Sequence, residues 1–450
     1  MISDPGPRTR PMRSRNTPPS FRTPVGGVPG HIIEPEAAHF TPDRAPPGTS
    51  STPAPPAARR MRHRPIATLD HVQPSLLSHV AAANDLTGRW CEQAGNDDFV
   101  LSGCGIWPLL GILADASDEP ARSELAAATS VAAPEARSAA LALLAELTDA
   151  AAAAAALGVW VRPDLALHEA WVRTLPAGTV EKLTGQPALD AWADRHTGGL
   201  IDRFPLETQP DTLLILATAI VAKTAWRTPF HDDVLEPASG PWAGHRGPGL
   251  SRNSETLADA ALLAAPAPVT RVVVRGTGDL DVHLLLGDGS PAEVLRAGLG
   301  VLDGSIEART APQIGDTGPG LTVRQTRAVA DTLRIQLPPF EIRSAHDLLK
   351  HRDLFGLSTA TDPRTGHFPA LSDTPLCVDG AAQNARARFT REGFEAAAVS
   401  AVGMVRAVAL RRPHSTTEIA VAFDRPFGFL AVHRPTGLVI VAGWVAHPPA

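Results

Sequence analysis

Residues 392–410 read EGFEAAAVSAVGMVRAVAL. Alanine favours helix, so on pattern alone the stretch is an alanine-rich helix. Laid out as a strand, one face carries Phe394, Ala396, Ala398, Ser400, Val402 and Met404, and the other carries Glu395, Ala397, Val399, Ala401, Gly403 and Val405. No proline occurs before Pro413, and no charge lies between Glu395 and Arg406. A segment with one small or apolar face and every amide free to pair suits insertion into the middle of a sheet.

The surroundings supply such a sheet. Downstream, residues 418–423, 427–433 and 439–445 read as strands, with Asp424-Arg425-Pro426-Phe427 between the first two. Upstream, residues 212–226 (TLLILATAIVAKTAW) form a long β-branched apolar run, plausible at the centre of a large sheet. Residues 332–342 read as a further strand, and 269–275 and 280–286 as a pair on a Gly-Thr-Gly-Asp turn. Residues 290–304 return to helix, with Pro291 in the first turn. From 76 to 172 the patterns are helical: 84–93, 106–116, 120–128 and 136–157 carry apolar residues at three- and four-residue spacing. A helical first third followed by long antiparallel-looking strands with intervening helices predicts an α+β fold on one core.

The chain has 450 residues, 44% apolar and 20% charged, enough for a large core. Its net charge of −6 conceals a split. Residues 1–64 hold ten arginines, four acids and fourteen prolines, which makes them about +6 and the remainder about −12. Such a tail buries too little apolar surface to offset its ordering entropy, so a disordered segment at 1–64 and a single domain at 65–450 are expected. Met61 is an alternative start. The acidic body gives no reason to expect a nucleic-acid partner. The most apolar long run, 141–157, contains Glu146 and Asp149, so no membrane span is expected. No apolar run follows the N-terminal basic residues as in a secretory signal, and a soluble, cytoplasmic protein is the expectation. Cys91, Cys104 and Cys377 are too few and too scattered for a disulfide framework. The alanine- and arginine-rich composition, with three lysines and no tyrosine, suggests a GC-rich bacterial genome.

Catalytic signatures are absent. Lys182, Lys223 and Lys350 do not follow glycine, so there is no phosphate-cradling loop, and HExxH, GxSxG and SxxK do not occur. His168-Glu169 lacks the second histidine a zinc helix needs, and the GxG fragments at 276–278 and 287–289 sit at hairpin-like positions. No metal, no cofactor and no enzymatic activity are expected.

Several phrases, in order, resemble the serpin family of serine protease inhibitors over about residues 70–450. Leu189-Asp190-Ala191-Trp192 with Thr197-Gly198-Gly199-Leu200-Ile201 is similar to the family's helix over its main sheet. Ala219-Ile220 with Lys223 and Trp226 resembles the central strand, and Leu337-Pro338-Pro339-Phe340-Glu341-Ile342 then Leu354-Phe355-Gly356-Leu357 follow in the family's order. Gly393, Phe394, Glu395, Ala396, Ala397 and Ala398 resemble the hinge of the reactive loop. Phe423-Asp424-Arg425-Pro426-Phe427-Gly428-Phe429-Leu430 resembles the strand leading out of it, and Gly443-Trp444-Val445-Ala446-His447-Pro448 the closing phrase. The resemblance implies a serpin fold: helices on a large, mostly antiparallel sheet, smaller sheets, and an exposed reactive loop at about 391–413. It implies a monomer that traps a target serine protease: the protease cleaves the loop and forms an acyl-enzyme, and the loop enters the main sheet as a new strand. The family's spacing from the hinge puts the scissile bond between Ala407 and Val408, or one residue earlier between Arg406 and Ala407. Ala407 suits an elastase- or subtilisin-like enzyme and Arg406 a trypsin-like one; Arg411 and Arg412 are further trypsin-type candidates.

The chain departs from the family's pattern at several places. Phe394 stands where inhibitors usually carry Thr or Ser, and overpacking a tight site costs about 1–3 kcal/mol. Arg391 replaces the acidic residue that usually leads the hinge. Where the sheet parts, Ser102 is kept, but Gly103 and Gly105 replace Pro and Ser, Thr218 replaces Asn, and Gln383 replaces His. A Gln383–Thr218 hydrogen bond is the expected substitute. These changes favour the alternative of a serpin-fold binding, storage or chaperone-like protein without inhibitory activity.

Overall fold

The computed structural model describes residues 74–395 and 413–449. The helical part opens with α1 (Pro74–Cys91), then, after β1 (Phe99–Leu101), α2 (Gly103–Ala116), α3 (Ala121–Thr129) and α4 (Ala133–Asp149). α4 buries Ala136, Ala140, Leu143 and Leu147, the stripe its periodicity predicts. The helix expected over 136–157 nevertheless stops at Asp149, and residues 153–157 open β2 (Ala153–Val161). Alanine's helix preference is weak enough for pairing to override it. β2 lies antiparallel to β4 (Leu214–Ala222) along its whole length. A single turn, α5 (Glu169–Val172), then β3 (Val180–Lys182) and α6 (Gln186–Thr197) fill the interval.

The strand expected over 212–226 is interrupted at Lys223, which separates β4 from β5 (Thr224–Ala225). There follow β6 (His231–Leu235), β7 (Gly247–Ser254), β8 (Ala260–Leu263), β9 (Val269–Arg275), β10 (Leu280–Gly287) and α7 (Pro291–Leu302). β9 and β10 are the expected antiparallel pair. α7 starts on a capping box in which Ser290 and Glu293 exchange side-chain and backbone hydrogen bonds. After β11 (Ala308–Thr310) and β12 (Leu321–Ala328), the strand expected over 332–342 divides into β13 (Thr332–Leu337) and β14 (Phe340–Asp347). Pro338 and Pro339 lack the N–H a ladder needs, so the chain changes sheet there. β15 (Ala382–Phe389), β16 (Gly393–Phe394), β17 (His414–Ala422), β18 (Phe427–His433) and β19 (Leu438–Val445) complete the order.

Three strand surfaces result. One is a seven-stranded antiparallel sheet, β1-β19-β18-β10-β9-β8-β11, whose strands β10 and β18 are buried throughout. The second is five-stranded, β12-β17-β13-β7-β6. The third is divided: β3-β2-β4 on one side and β5-β16-β15-β14 on the other, with Lys223 alone separating β4 from β5 along the chain. α6 covers one face of β2 and β4, where Leu189 and Trp192 pack with Trp160, Ile215, Ala217 and Ala219. The other face of β4 meets the start of α2 through Thr218, whose hydroxyl donates to the Gly105 carbonyl.

Candidate functional site

The divided surface closes at one corner. Gly393 pairs with Ala225 and Phe394 with Thr224 on one side, while Phe394 pairs with Phe389 on the other. Beyond these short ladders, the Trp226 N–H donates to the Glu392 carbonyl at 2.8 Å and its indole Nε1 to the Thr390 carbonyl at 2.9 Å. The Phe230 N–H donates to the Arg391 carbonyl at 2.9 Å. Apolar contact backs the bonds: the Phe389 ring centroid lies 4.7 Å from Trp226, 5.5 Å from Phe230 and 5.4 Å from Phe340. Trp226, singled out from sequence, thus holds the segment by its backbone N–H and by its indole N–H. Arg391 pairs at the surface with Asp232 at 3.1 Å and Glu392 at 2.7 Å.

Phe394, at the position where the sequence departs from the family's pattern, is wholly buried, with its ring centroid 6.3 Å from Phe429. The Phe429 ring lies over Gly443, where a Cβ would come within 2.4 Å of it and 2.6 Å of the Phe99 carbonyl, so glycine is required there. The first hinge side chain is therefore already seated in the sheet.

Glu395 follows at φ 49°, left-handed backbone that turns the chain away from a regular strand. Its N–H still donates to the Arg388 carbonyl at 2.8 Å. The residue is 3% exposed, and neither carboxylate oxygen has a hydrogen-bond partner. Burial pushes its pKa up from the usual 4.5, against the downward pull of Arg386 and Arg388.

Past this corner β4 and β15 part. Between them lies a cleft lined by Ile106, Leu216, Ile220, Phe204, Gln383 and Glu395 among others. The predicted Gln383–Thr218 hydrogen bond does not form, because each side chain bonds separately to the start of α2. Gln383 Nε2 donates to the Ser102 carbonyl and the Ser102 N–H donates to Gln383 Oε1, both at 2.9 Å. The Ser102 hydroxyl donates to the Ile440 carbonyl at 2.7 Å, and Thr218 reaches Gly105 instead. Gly103 has its own reason for standing there: a Cβ would lie 2.2 Å from the Thr87 hydroxyl and 2.9 Å from its backbone, so α1 and α2 approach too closely for any other residue.

The structure thus brings Gly393, Phe394, Glu395 and Trp226 to one corner, and ties Ser102 to Gln383 and Gly105 to Thr218 along the cleft. Ala396, Ala397, Ala398, Arg406, Ala407 and Val408 lie outside the described residues. What sequence reading missed is β15, one wall of the cleft. Its signal was present as alternation: Gln383, Ala387 and Phe389 are buried, while Asn384, Arg386 and Arg388 between them are half-buried. Among the described residues no side chains cluster as a metal site, and no helix is long and apolar enough to cross a membrane. Burial pushes the Cys91 and Cys104 thiols up to about 12, so neither is a thiolate nucleophile at neutral pH.

A family model described as serpin (serine protease inhibitor) matches residues 79–238 and 316–448. Among curated proteins, plasminogen activator inhibitor 1 of Sus scrofa is 24% identical over 269 residues, which is 58% of this chain and 61% of that protein. The first curated relatives are matched over 27% to 61% of their own length. Among solved structures, the thermophilic serpin tengpin in its native state aligns with a TM-score of 0.63 at 14% identity, over 85% of this chain and 96% of tengpin. Human thyroxine-binding globulin in complex with thyroxine aligns at 0.62 and 16%, over 84% of this chain and all of that one. At such identities these structures establish a shared fold.

Proposed function

The chain belongs to the serpin family, and on that premise we propose that it inhibits a serine endopeptidase as a suicide substrate, its cleaved loop entering the divided sheet. One observation carries this reading. The sheet is parted beneath a short strand, β16, that pairs at its corner, and β4 offers a free edge of matching length, with β15 facing it over most of that length. Carried on unchanged, the two hinge ladders set Ala396 opposite Ala387 and Ala222, and Ala398 opposite Ala385 and Ile220. Ser400 falls between Gln383 and Thr218, the two side chains that fail to reach each other. Met404 falls opposite Leu214, the first residue of β4. The β4 edge is then full just short of the two proposed scissile bonds, Arg406–Ala407 and Ala407–Val408. Main-chain pairing along both edges would supply the drive, as in other cases of strand addition.

A second reading has its own support. Phe394 is anchored by aromatic packing and Glu395 turns the chain out of the strand, so both resist further insertion. A protein of this fold that binds a ligand without inhibiting, as thyroxine-binding globulin binds thyroxine, is compatible with such a hinge. The two readings separate when the full chain is incubated with trypsin, elastase and subtilisin and run on denaturing gels with mass spectrometry. The inhibitor gives a covalent complex that survives boiling, and the released C-terminal fragment names the bait residue: Ala407 for a small-pocket enzyme, Arg406 for a trypsin-like one. Loop cleavage with no complex, and unfolding unchanged by cleavage, would sink it in favour of the binding protein.

A further inference from the structure

We propose that Glu395 is a positioning residue whose protonation sets how firmly the hinge strand β16 stays in the sheet: neutral Glu395 keeps it seated, and ionised Glu395 drives it out. The inference rests on the inhibitor reading only for its consequence, since a seated hinge ties down the N-terminal end of the loop a protease must engage.

Three observations meet at this residue. The carboxyl is 3% exposed with both oxygens unpartnered, an arrangement tolerable for a neutral acid and costly for an anion. The backbone sits at φ 49°, which a non-glycine residue keeps only where its surroundings impose it. The side chain points into the cleft at the place where the ladder ends, so its burial depends on β16 being seated. The charged groups around it are few. β15 brings Arg386 and Arg388, which pull the carboxyl down, and β14 brings Glu341, which pushes it up and is shared between Arg343 at 2.9 Å and Arg386 at 3.1 Å. Lys223, exposed at the break between β4 and β5, is the next cation along the chain from Thr224. The parts of α2, α6 and the following loop that line the cleft contribute no titratable side chain.

The sign follows from linkage. The seated state holds the carboxyl above its usual 4.5, whereas a released Glu395 in water titrates normally. The seated hinge therefore binds the proton more tightly. Its stability is intact below the usual carboxylate range and falls by up to about tenfold per pH unit between the released and seated pKa values, then levels off.

The test is hydrogen exchange on the full chain between about pH 5 and pH 8, within the carboxylate-to-neutral window, divided at each pH by the exchange of the unstructured peptide. The reporters are the Trp226 and Phe230 amides, which bond to hinge carbonyls, and amides of the β10–β18 ladder serve as the internal reference. Protection of the two reporters should fall with rising pH relative to the reference, and the dependence should vanish in Glu395→Gln and in Glu395→Ala. A flat profile in the wild type, or the same slope in both variants, overturns the proposal. The assay contains no protease, so absence of a covalent complex would remove the inhibitor reading and leave this result standing.

Discussion

The two ends of the divided sheet are held in opposite ways. At the hinge corner the chain segments 389–395 and 224–230 are laced by backbone ladders, by both ends of Trp226, and by an aromatic cluster around Phe389. Along the cleft, β4 and β15 share no ladder among the described residues. Among the described residues they are linked through third elements: through the start of α2, by Thr218 to Gly105 and by Gln383 to Ser102, and through the segment after α6, where Asn384 donates to the Arg203 carbonyl and Phe204 packs on β4. One end is closed by buried carbon and paired amides, the other by a few contacts with third elements. Unpaired strand edges are ordinarily covered or blunted in folded proteins. Here two such edges face each other, and a segment of matching chemistry lies next along the chain. The difference locates where the sheet is held by paired backbone and where its edges are open.

Trp226→Ala tests the firm end most severely. It removes a buried indole and leaves the Thr390 carbonyl without its donor, so a loss of about 3–5 kcal/mol is expected in denaturant unfolding. A loss below about 0.5 kcal/mol, the scale of an ordinary surface change, would mean the corner is not the firm end. Phe394→Thr comes next, at about 3 kcal/mol for the emptied ring site, and should also raise exchange at the Trp226 amide. No change in either would show that the seated ring contributes nothing to the corner.

The loose end should respond less. Gln383→Ala strips the partner from the Ser102 N–H, while the Ser102 carbonyl keeps the Gly105 N–H at 3.1 Å, and about 2 kcal/mol is expected for the one unsatisfied group. Incubated with a synthetic peptide matching residues 394–404, the same variant should take it up more readily than the wild type does, as read on native gels. Slower uptake would contradict the role of the α2 contacts as ties. Thr218→Val, which keeps shape and loses one donor, is expected to cost about 1 kcal/mol. If it matched Trp226→Ala in calorimetry, the contrast between the ends would be gone.

Much of the fold was legible. β18 spans the residues its apolar run marks out, β9 and β10 flank their glycine turn, and α7 begins at the proline its pattern indicates. The failures share a cause. Residues 153–157 are alanines and leucine, which read as helix, but lie in β2 because β4 offers a full-length partner. Residues 332–342 read as one strand although two prolines divide them between sheets. β15 went unread because its outward arginines mask a clear inward alternation. At the site, the sequence singled out the phrase at 393–395 and Trp226, Ser102, Gln383 and Thr218, and the bonding of those residues came only with the structure.

By itself the sequence determined the α+β class, the family, and the position of a small-sided segment suited to a sheet interior. Those features reside in periodicity and in ordered short phrases, which survive without knowledge of contacts. Only the tertiary structure decided that Phe394 is wholly buried beside Phe429, 35 residues further along. It also decided that Gln383 and Thr218 bond to α2 rather than to each other, and that Glu395 is buried without a partner. Each of those outcomes depends on which strand edge, helix start or cavity happens to face a side chain, and that is fixed by packing between distant segments.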